Sequence, residues 1–191
     1  MFINKNKYYI YIDNLSSINF NFIKIGEKLN FIYRNSAKKE NLSKLIRFIK
    51  ICKKKRIKFF ISNNLSLAIK TKASGIYLSS HNNQLVKKEY RETKKFEIIG
   101  SAHNFKEINL KLKQGCEKVV LSRLFKTNYK NKTSYLGITK FNLIIRNYRN
   151  SFVALGGIRS TNLMKVKMLR CDGIALLSEP KKKPAIIRRL F

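Results

Sequence analysis

At 191 residues the chain is long enough for one well-buried core and short for two, so residues 1–191 are read as a single domain. Hydrophobic residues make up 44%, which excludes general disorder, and no charge-free apolar stretch of about 18 residues marks a membrane-spanning helix. Lys and Arg number 42 against 10 Asp and Glu, a net charge of +32 that would draw polyanions to the surface in a salt-dependent way.

Short β-rich segments alternate with segments of helical period. "YYIYID" (8–13) reads as the first strand and "FIYR" (31–34) as the second, with a short helix between them. "NLSKLIRFIKICKKK" (41–55) is a helix behind an Asn41 cap, because Leu42, Leu45, Ile46, Ile49 and Cys52 share one face. "IKFFIS" (57–62) is the third strand, followed by a short helix around Leu65 to Ala68. "GIYLS" (75–79) is the fourth, with a helix over Gln84 to Thr93 behind it.

"EIIGSA" (97–102) makes the fifth strand. The next helix, 104–115, opens on Asn104 with Glu107 three residues on and stops at Gly115. "KVVLS" (118–122) is the sixth strand, with a helix over 139–150. "FVALGG" (152–157) is the seventh, with a helix over 160–170, and "DGIALLS" (172–178) the eighth. Eight βα units predict a (β/α)₈ TIM barrel, with a doubly wound open sheet as the alternative.

Two explanations fit the charge. The excess is spread along the chain, and Lys, Asn and Ile are abundant together, as nucleotide bias in a genome would produce; this is favoured over selected nucleic-acid binding, because the aromatic and basic motifs of RNA-binding modules are absent. Non-specific nucleic-acid contact stays open as a second kind of partner. The runs "KKKR" (53–56) and "EPKKKPAIIRRLF" (179–191) read as solvated helix ends. Cys52, Cys116 and Cys171 lie far apart and fit buried thiols in a reducing cytoplasm; the opening residues lack the pattern of a secretory signal.

In a barrel the site lies where strands end at their C-termini. That rule selects Asp13, Arg34, Ser62, Asn63, Ser79 to Asn82, Ser101 to His103, Ser122 to Lys130, Gly156, Gly157, Leu177 and Ser178. The strongest signal is the loop pair "ALGGIRSTN" and "GIALLSEP", where glycine permits close backbone approach to a phosphate. Thr127 and Lys130 could donate to a phosphorylated substrate, and Arg34 suits a bidentate phosphate contact. Acid–base and metal signals are thin: Asp13 and Asp172 are the only aspartates, and His81 and His103 lack ligand spacing. His103 reads as a structural hydrogen-bonder.

Seven segments in order, from "YIYID" through "YRNS", "FFISNNLSLAIKTKASGIYLSSHN", "IIGSAHNFKE", "GCEKVVLSRLFKTNYK" and "FVALGGIRSTNL" to "CDGIALLSE", resemble the thiamine phosphate synthase and thiazole tautomerase family. The resemblance implies a (β/α)₈ barrel that couples hydroxymethylpyrimidine diphosphate to thiazole phosphate with release of pyrophosphate and assistance from Mg²⁺. It implies phosphate binding by Gly156, Gly157, Leu177, Ser178, Thr127, Arg34 and Lys130, and catalytic roles for Lys130, Arg34 and Ser101.

The chain also departs from the family pattern. Ile32 and Ser36 replace the glutamine and lysine of a "Q-x-R-x-K" segment, and Ser122, Arg123 and Tyr129 replace a glycine, a proline and a threonine. Asn63 and Asn82 stand where the family has metal-binding aspartates, so each removes a negative charge from the implied Mg²⁺ site. The tautomerase histidine corresponds to Arg123. Three functions follow: a synthase in which basic groups such as Arg34 and Lys130 partly replace the metal, a repurposed member binding another small phosphorylated ligand, and a polyanion-binding protein on the same barrel.

Overall fold

A computed structural model describes residues 7–23, 27–34, 41–86, 89, 96–127 and 134–177. Eight strands, β1 (Lys7–Ile12), β2 (Leu29–Tyr33), β3 (Lys58–Ser62), β4 (Gly75–Leu78), β5 (Glu97–Ala102), β6 (Lys118–Ser122), β7 (Ser151–Leu155) and β8 (Gly173–Leu176), form a closed barrel in sequence order. Every neighbouring pair is parallel. β1 closes on β8 in a register that sets Tyr8 beside Ile174 and Ile10 beside Leu176. The fold is a (β/α)₈ barrel and not the open sheet.

Strand alternation sorts the side chains into two apolar layers. Tyr9, Tyr11, Ile32, Phe60, Tyr77, Ile99, Val120, Val153 and Ala175 point inward and fill the lumen. Their chain neighbours, such as Ile10, Phe31, Phe59 and Val119, point outward and are buried under helices. Against them pack Leu45, Phe48 and Ile49 of α1 (Leu42–Lys54), with the Phe48 ring 5.5 Å from that of Phe59. Each such ring buried stabilises the fold by about 1.5–3 kcal/mol.

Three of the described helices are capped by asparagine side chains, whereas the helix at Gly137 starts on Leu136 without a side-chain cap. Asn41 Oδ1 accepts from the Lys44 N–H ahead of α1, and Asn64 Oδ1 from the Leu67 N–H ahead of α2 (Leu65–Lys70). Asn104 Oδ1 accepts from the Glu107 N–H ahead of α3 (Phe105–Lys113). In a chain with two aspartates, asparagine supplies the acceptor that an orphan helix N–H needs.

Several helical expectations change. The helix between the first two strands is instead two single 3-10 turns, Leu15–Ser17 and Phe20–Phe22. Asn14 and Asn19 each accept a hydrogen bond from the N–H two residues on, which restarts a turn and stops propagation. Residues 84–86 are not helical: Gln84 N–H donates to Asn82 Oδ1, and the Gln84 carbonyl is taken by Gln114. Of the rest of that predicted helix, Glu89 is helical as expected, and 87–88 and 90–93 lie outside the described residues.

The helix expected over 139–150 is α4, Gly137–Arg146. That expected over 160–170 becomes a 3-10 turn, Ser160–Asn162, and the four-residue α5, Leu163–Val166. Here the Asn162 side chain folds back onto the Arg159 N–H and the Gly157 carbonyl, both at 2.8 Å. The three cysteines are buried thiols outside any disulfide, as expected, with Cys171 Sγ donating to the Gly173 carbonyl, and burial pushes the thiols of Cys52 and Cys116 up to about 12.

Candidate active site

The C-terminal mouth of the barrel carries two groups of functional side chains. On the side of β1 to β5, Tyr11 and Tyr77 face each other across the lumen, and the Tyr11 hydroxyl donates to the Tyr77 hydroxyl at 3.0 Å. Tyr77 is also hydrogen-bonded to the buried Ser101, so three hydroxyls run in a row. The exposed Arg34, just past β2, lies with its guanidinium carbon 5.8 Å from the centre of the Tyr11 ring. Burial raises both phenols above the usual tyrosine range, with Arg34 opposing, so they stay protonated. Tyr11 and Tyr77 were not singled out in the sequence. The inward alternation that ends at Asp13 and at Ser79 was the signal for them.

Asn63 and Asn82 meet on the same rim. Asn63 has a φ of 56°, a left-handed conformation that asparagine tolerates, and its N–H donates to the Tyr77 carbonyl. Its Oδ1 accepts from the Ser79 N–H at 2.9 Å and from Asn82 Nδ2 at 3.3 Å, while its Nδ2 donates to Ser79 Oγ. The Asn82 Oδ1 accepts from the Gln84 N–H at 2.9 Å.

Next to them, His103 joins the cap of α3. Its backbone N–H and Nδ1 both contact Glu107 Oε2, at 2.7 and 2.9 Å. Burial alone would raise the Glu107 carboxyl, but the hydrogen bonds from His103, with that from Asn104, outweigh it and hold the group below the usual range.

The second group belongs to β6, β7 and β8. Gly156 and Gly157 lie past β7 with φ of 106° and 66°. The backbone ladder continues through them, since the Leu124 N–H donates to the Leu155 carbonyl and the Phe125 N–H to that of Gly156. A β-carbon on Gly157 would stand 2.6 Å from the Lys126 carbonyl oxygen and 2.7 Å from that of Phe125. The close approach the glycine permits is therefore between two loops.

A cavity of about 450 Å³ opens between these loops, lined by Lys126, Tyr135, Gly157, Arg159, Thr161 and Lys165 among others. Thr127 Oγ1 is buried with no hydrogen-bond partner among the described residues. Leu177 is half-buried beside the lumen layer. Lys130 and Ser178 lie outside the described residues.

A closed parallel barrel whose mouth gathers an arginine, hydroxyls, asparagine amides and a glycine-built loop junction is of the class whose functional sites lie at the C-terminal strand ends. The chain belongs to the thiamine monophosphate synthase family, whose model matches residues 14–179. It is 29% identical over 164 residues to a thiamine-phosphate synthase of Prochlorococcus marinus subsp. pastoris, covering 81% of this chain and 46% of that one. To the thiamine-phosphate synthase of Pelagibacter ubique it is 29% identical over 185 residues, covering 90% and 87%. The chain thus spans about half the length of the Prochlorococcus relatives and most of the Pelagibacter one.

Among solved structures, thiamine phosphate pyrophosphorylase from Pyrococcus furiosus superposes with a TM-score of 0.77 at 18% identity, over 98% of this chain and 93% of that one. An aldolase from Escherichia coli superposes at 0.62 with 9% identity, over 96% of this chain and 79% of that one. At those identities the likeness is one of fold, and the fold hosts unrelated chemistries.

Mg²⁺ is used generally in this family. It prefers hard oxygen donors in near-octahedral geometry, usually including carboxylates. Asn63 and Asn82 offer neutral amides whose Oδ1 atoms already accept hydrogen bonds, two at Asn63 and one at Asn82. Among the described residues no group of three or more His, Cys, Asp or Glu could hold a metal ion. The two asparagines do not fit the ion.

Proposed function

We propose that the protein is a thiamine-phosphate synthase, joining hydroxymethylpyrimidine diphosphate to thiazole phosphate and releasing pyrophosphate. The observation that carries this reading is the extent of the family match: residues 14–179 take in both halves of the mouth, from the loop after β1 to beyond β8. Names of the matched relatives point the same way.

In the proposed reaction the bond from the pyrimidine methylene carbon to the diphosphate oxygen breaks, and its electron pair leaves with pyrophosphate. The thiazole nitrogen lone pair then forms the new carbon–nitrogen bond. The protein's task is to neutralise the leaving group, exclude water and hold the nucleophile in line.

Arg34 faces the leaving diphosphate in this reading, joined by Lys130 from the loop after β6. Ser101, backed by Tyr77 and Tyr11, supplies the hydroxyl nearest the reacting pyrimidine. Gly156, Gly157, Thr127, Leu177 and Ser178 hold the thiazole phosphate, and the buried Thr127 hydroxyl, without a hydrogen-bond partner among the described residues, supports that assignment. The synthase unit would extend over residues 1–191 and work in the cytoplasm. Among the described residues no helix is long and apolar enough to cross a membrane.

The test is incubation of the folded protein with both substrates, followed by detection of thiamine phosphate and pyrophosphate. Formation of both supports the reading. A folded protein that yields neither overturns it.

A further inference from the structure

α3 carries a lysine buried between the helix and the outer face of the barrel. Lys111 is 0% exposed, and its stem lies across Gly100 of β5, where a β-carbon would come within 2.8 Å of Lys111 Cγ and Cδ. Its ammonium donates to the Asn82 carbonyl at 2.7 Å and to Gln114 Oε1 at 2.9 Å. Gln114 Nε2 in turn donates to the same Asn82 carbonyl at 2.9 Å and to that of Gln84 at 2.8 Å. These hydrogen-bond partners are neutral oxygens; burial disfavours the charged form of Lys111, and the Glu107 carboxylate one turn earlier on α3 favours it.

An enclosed ammonium held by neutral oxygens costs folding free energy, and an apolar side chain in the same channel would avoid that cost. What the lysine adds is a fixed positive charge directly behind the loop after β4. The Asn82 side chain donates to Asn63 Oδ1 at 3.3 Å. A continuous chain of hydrogen bonds therefore runs from α3 through Asn82 to the loop after β3.

We propose that this rim carries a permanent cation in place of a dissociable one. The Asn63–Asn82 amide bond ties the two loops together, and the Lys111 ammonium behind Asn82 supplies positive potential, so the rim holds a diphosphate group without Mg²⁺. Lys111 is a positioning residue that acts through Asn82. The proposal rests on the reading that a diphosphate is held at this rim, but its test does not depend on turnover.

Mg²⁺ alone is titrated calorimetrically into the full chain, into its Asn63→Asp/Asn82→Asp double variant, and into that double variant with Lys111→Met added. The parent is expected to show no saturable binding below about 1 mM, and the double variant one-to-one binding. Removing the like charge at Lys111 is expected to tighten that binding about tenfold. A lysine that merely fills space would leave the double variant's affinity unchanged, and that result overturns the role assigned to Lys111. Should Lys111→Met not fold, Lys111→Gln, which keeps a donor and removes the charge, takes its place.

Saturable one-to-one Mg²⁺ binding to the parent that Asn63→Ala abolishes overturns the proposal. So does a double variant as indifferent to Mg²⁺ as the parent. Inorganic pyrophosphate is then titrated with and without chelator. Affinities within about twofold of each other are expected, and a gain of about tenfold or more with Mg²⁺ overturns the proposal. Loss of the synthase reaction with these results intact would refute the proposed function alone.

Discussion

The Tyr11 and Tyr77 hydroxyls meet at 3.0 Å inside the barrel, 66 residues apart in the chain, with Ser101 bonded to the second of them. Removing the middle hydroxyl leaves the Tyr11 hydroxyl without this partner in a closed space. Tyr77→Phe is expected to cost about 1–3 kcal/mol of stability. Because Tyr11→Phe/Tyr77→Phe removes both partners, it should cost less than the sum of the two single changes. Urea denaturation of all three variants measures this, and strict additivity would contradict the pairing.

Gly157 and Gly137 have nearly equal φ, 66° and 69°, yet differ in surroundings. A β-carbon at Gly137 meets nothing within 4 Å, whereas at Gly157 it strikes the backbone carbonyls of Phe125 and Lys126. Gly137→Ala should therefore cost about 1 kcal/mol for the left-handed conformation, and Gly157→Ala about 2–4 kcal/mol because the two loops must also part. Equal shifts in the two unfolding midpoints would disprove the loop contact. Calorimetry with thiazole phosphate should show weaker binding to Gly157→Ala alone.

At the opposite end of the barrel Glu97 bridges Lys58 and Lys118, the latter at 3.0 Å. Burial alone would raise its carboxyl, but the hydrogen bonds and charges of the two lysines outweigh this and hold it below the usual 4.5. A depressed carboxyl stabilises the fold above its unfolded pKa and loses that contribution as pH falls through the folded value. Lys58 is half-exposed, so its share is discounted for solvent screening. Glu97→Gln is expected to destabilise by about 1 kcal/mol at pH 7, with the gap closing in acid. Paired urea titrations at pH 7 and pH 3 measure it.

Arg34 is an exposed cation beside the hydroxyl row. Arg34→Met should weaken binding of inorganic pyrophosphate about tenfold while leaving the unfolding midpoint nearly unchanged. Arg34→Lys should recover only part of the loss, since an ammonium lacks the planar fork that meets two phosphate oxygens at once. Full recovery by lysine would show that charge alone is read.

The sequence carried the strand order because alternating β-branched and aromatic runs are local signals, and each barrel strand pairs with the next in the chain. It also carried the caps at Asn41 and Asn104, which act within three residues. It misread the segment after β1 and residues 84–86. There asparagine side chains and the distant Gln114 claim backbone groups that a helix would have used.

The candidate site divides along the same line. Arg34, Ser101, Gly157 and Thr127 were legible because each ends or follows a strand, and barrel geometry assigns such positions to the mouth. Asn63 and Asn82 were legible as replacements of aspartates, but their direct hydrogen bond was not.

By itself, then, the sequence determined the eight strands and their order, the family and the strand-end positions that ring the mouth, all consequences of local period and of motifs read along the chain. Tertiary structure alone decided that Tyr77 stands between Tyr11 and Ser101, that Asn82 bonds to Asn63, and that Lys111 reaches the Asn82 carbonyl 29 residues back. Those pairings depend on barrel closure and strand register, which bring distant side chains within 3.3 Å of one another, where hydrogen bonds form.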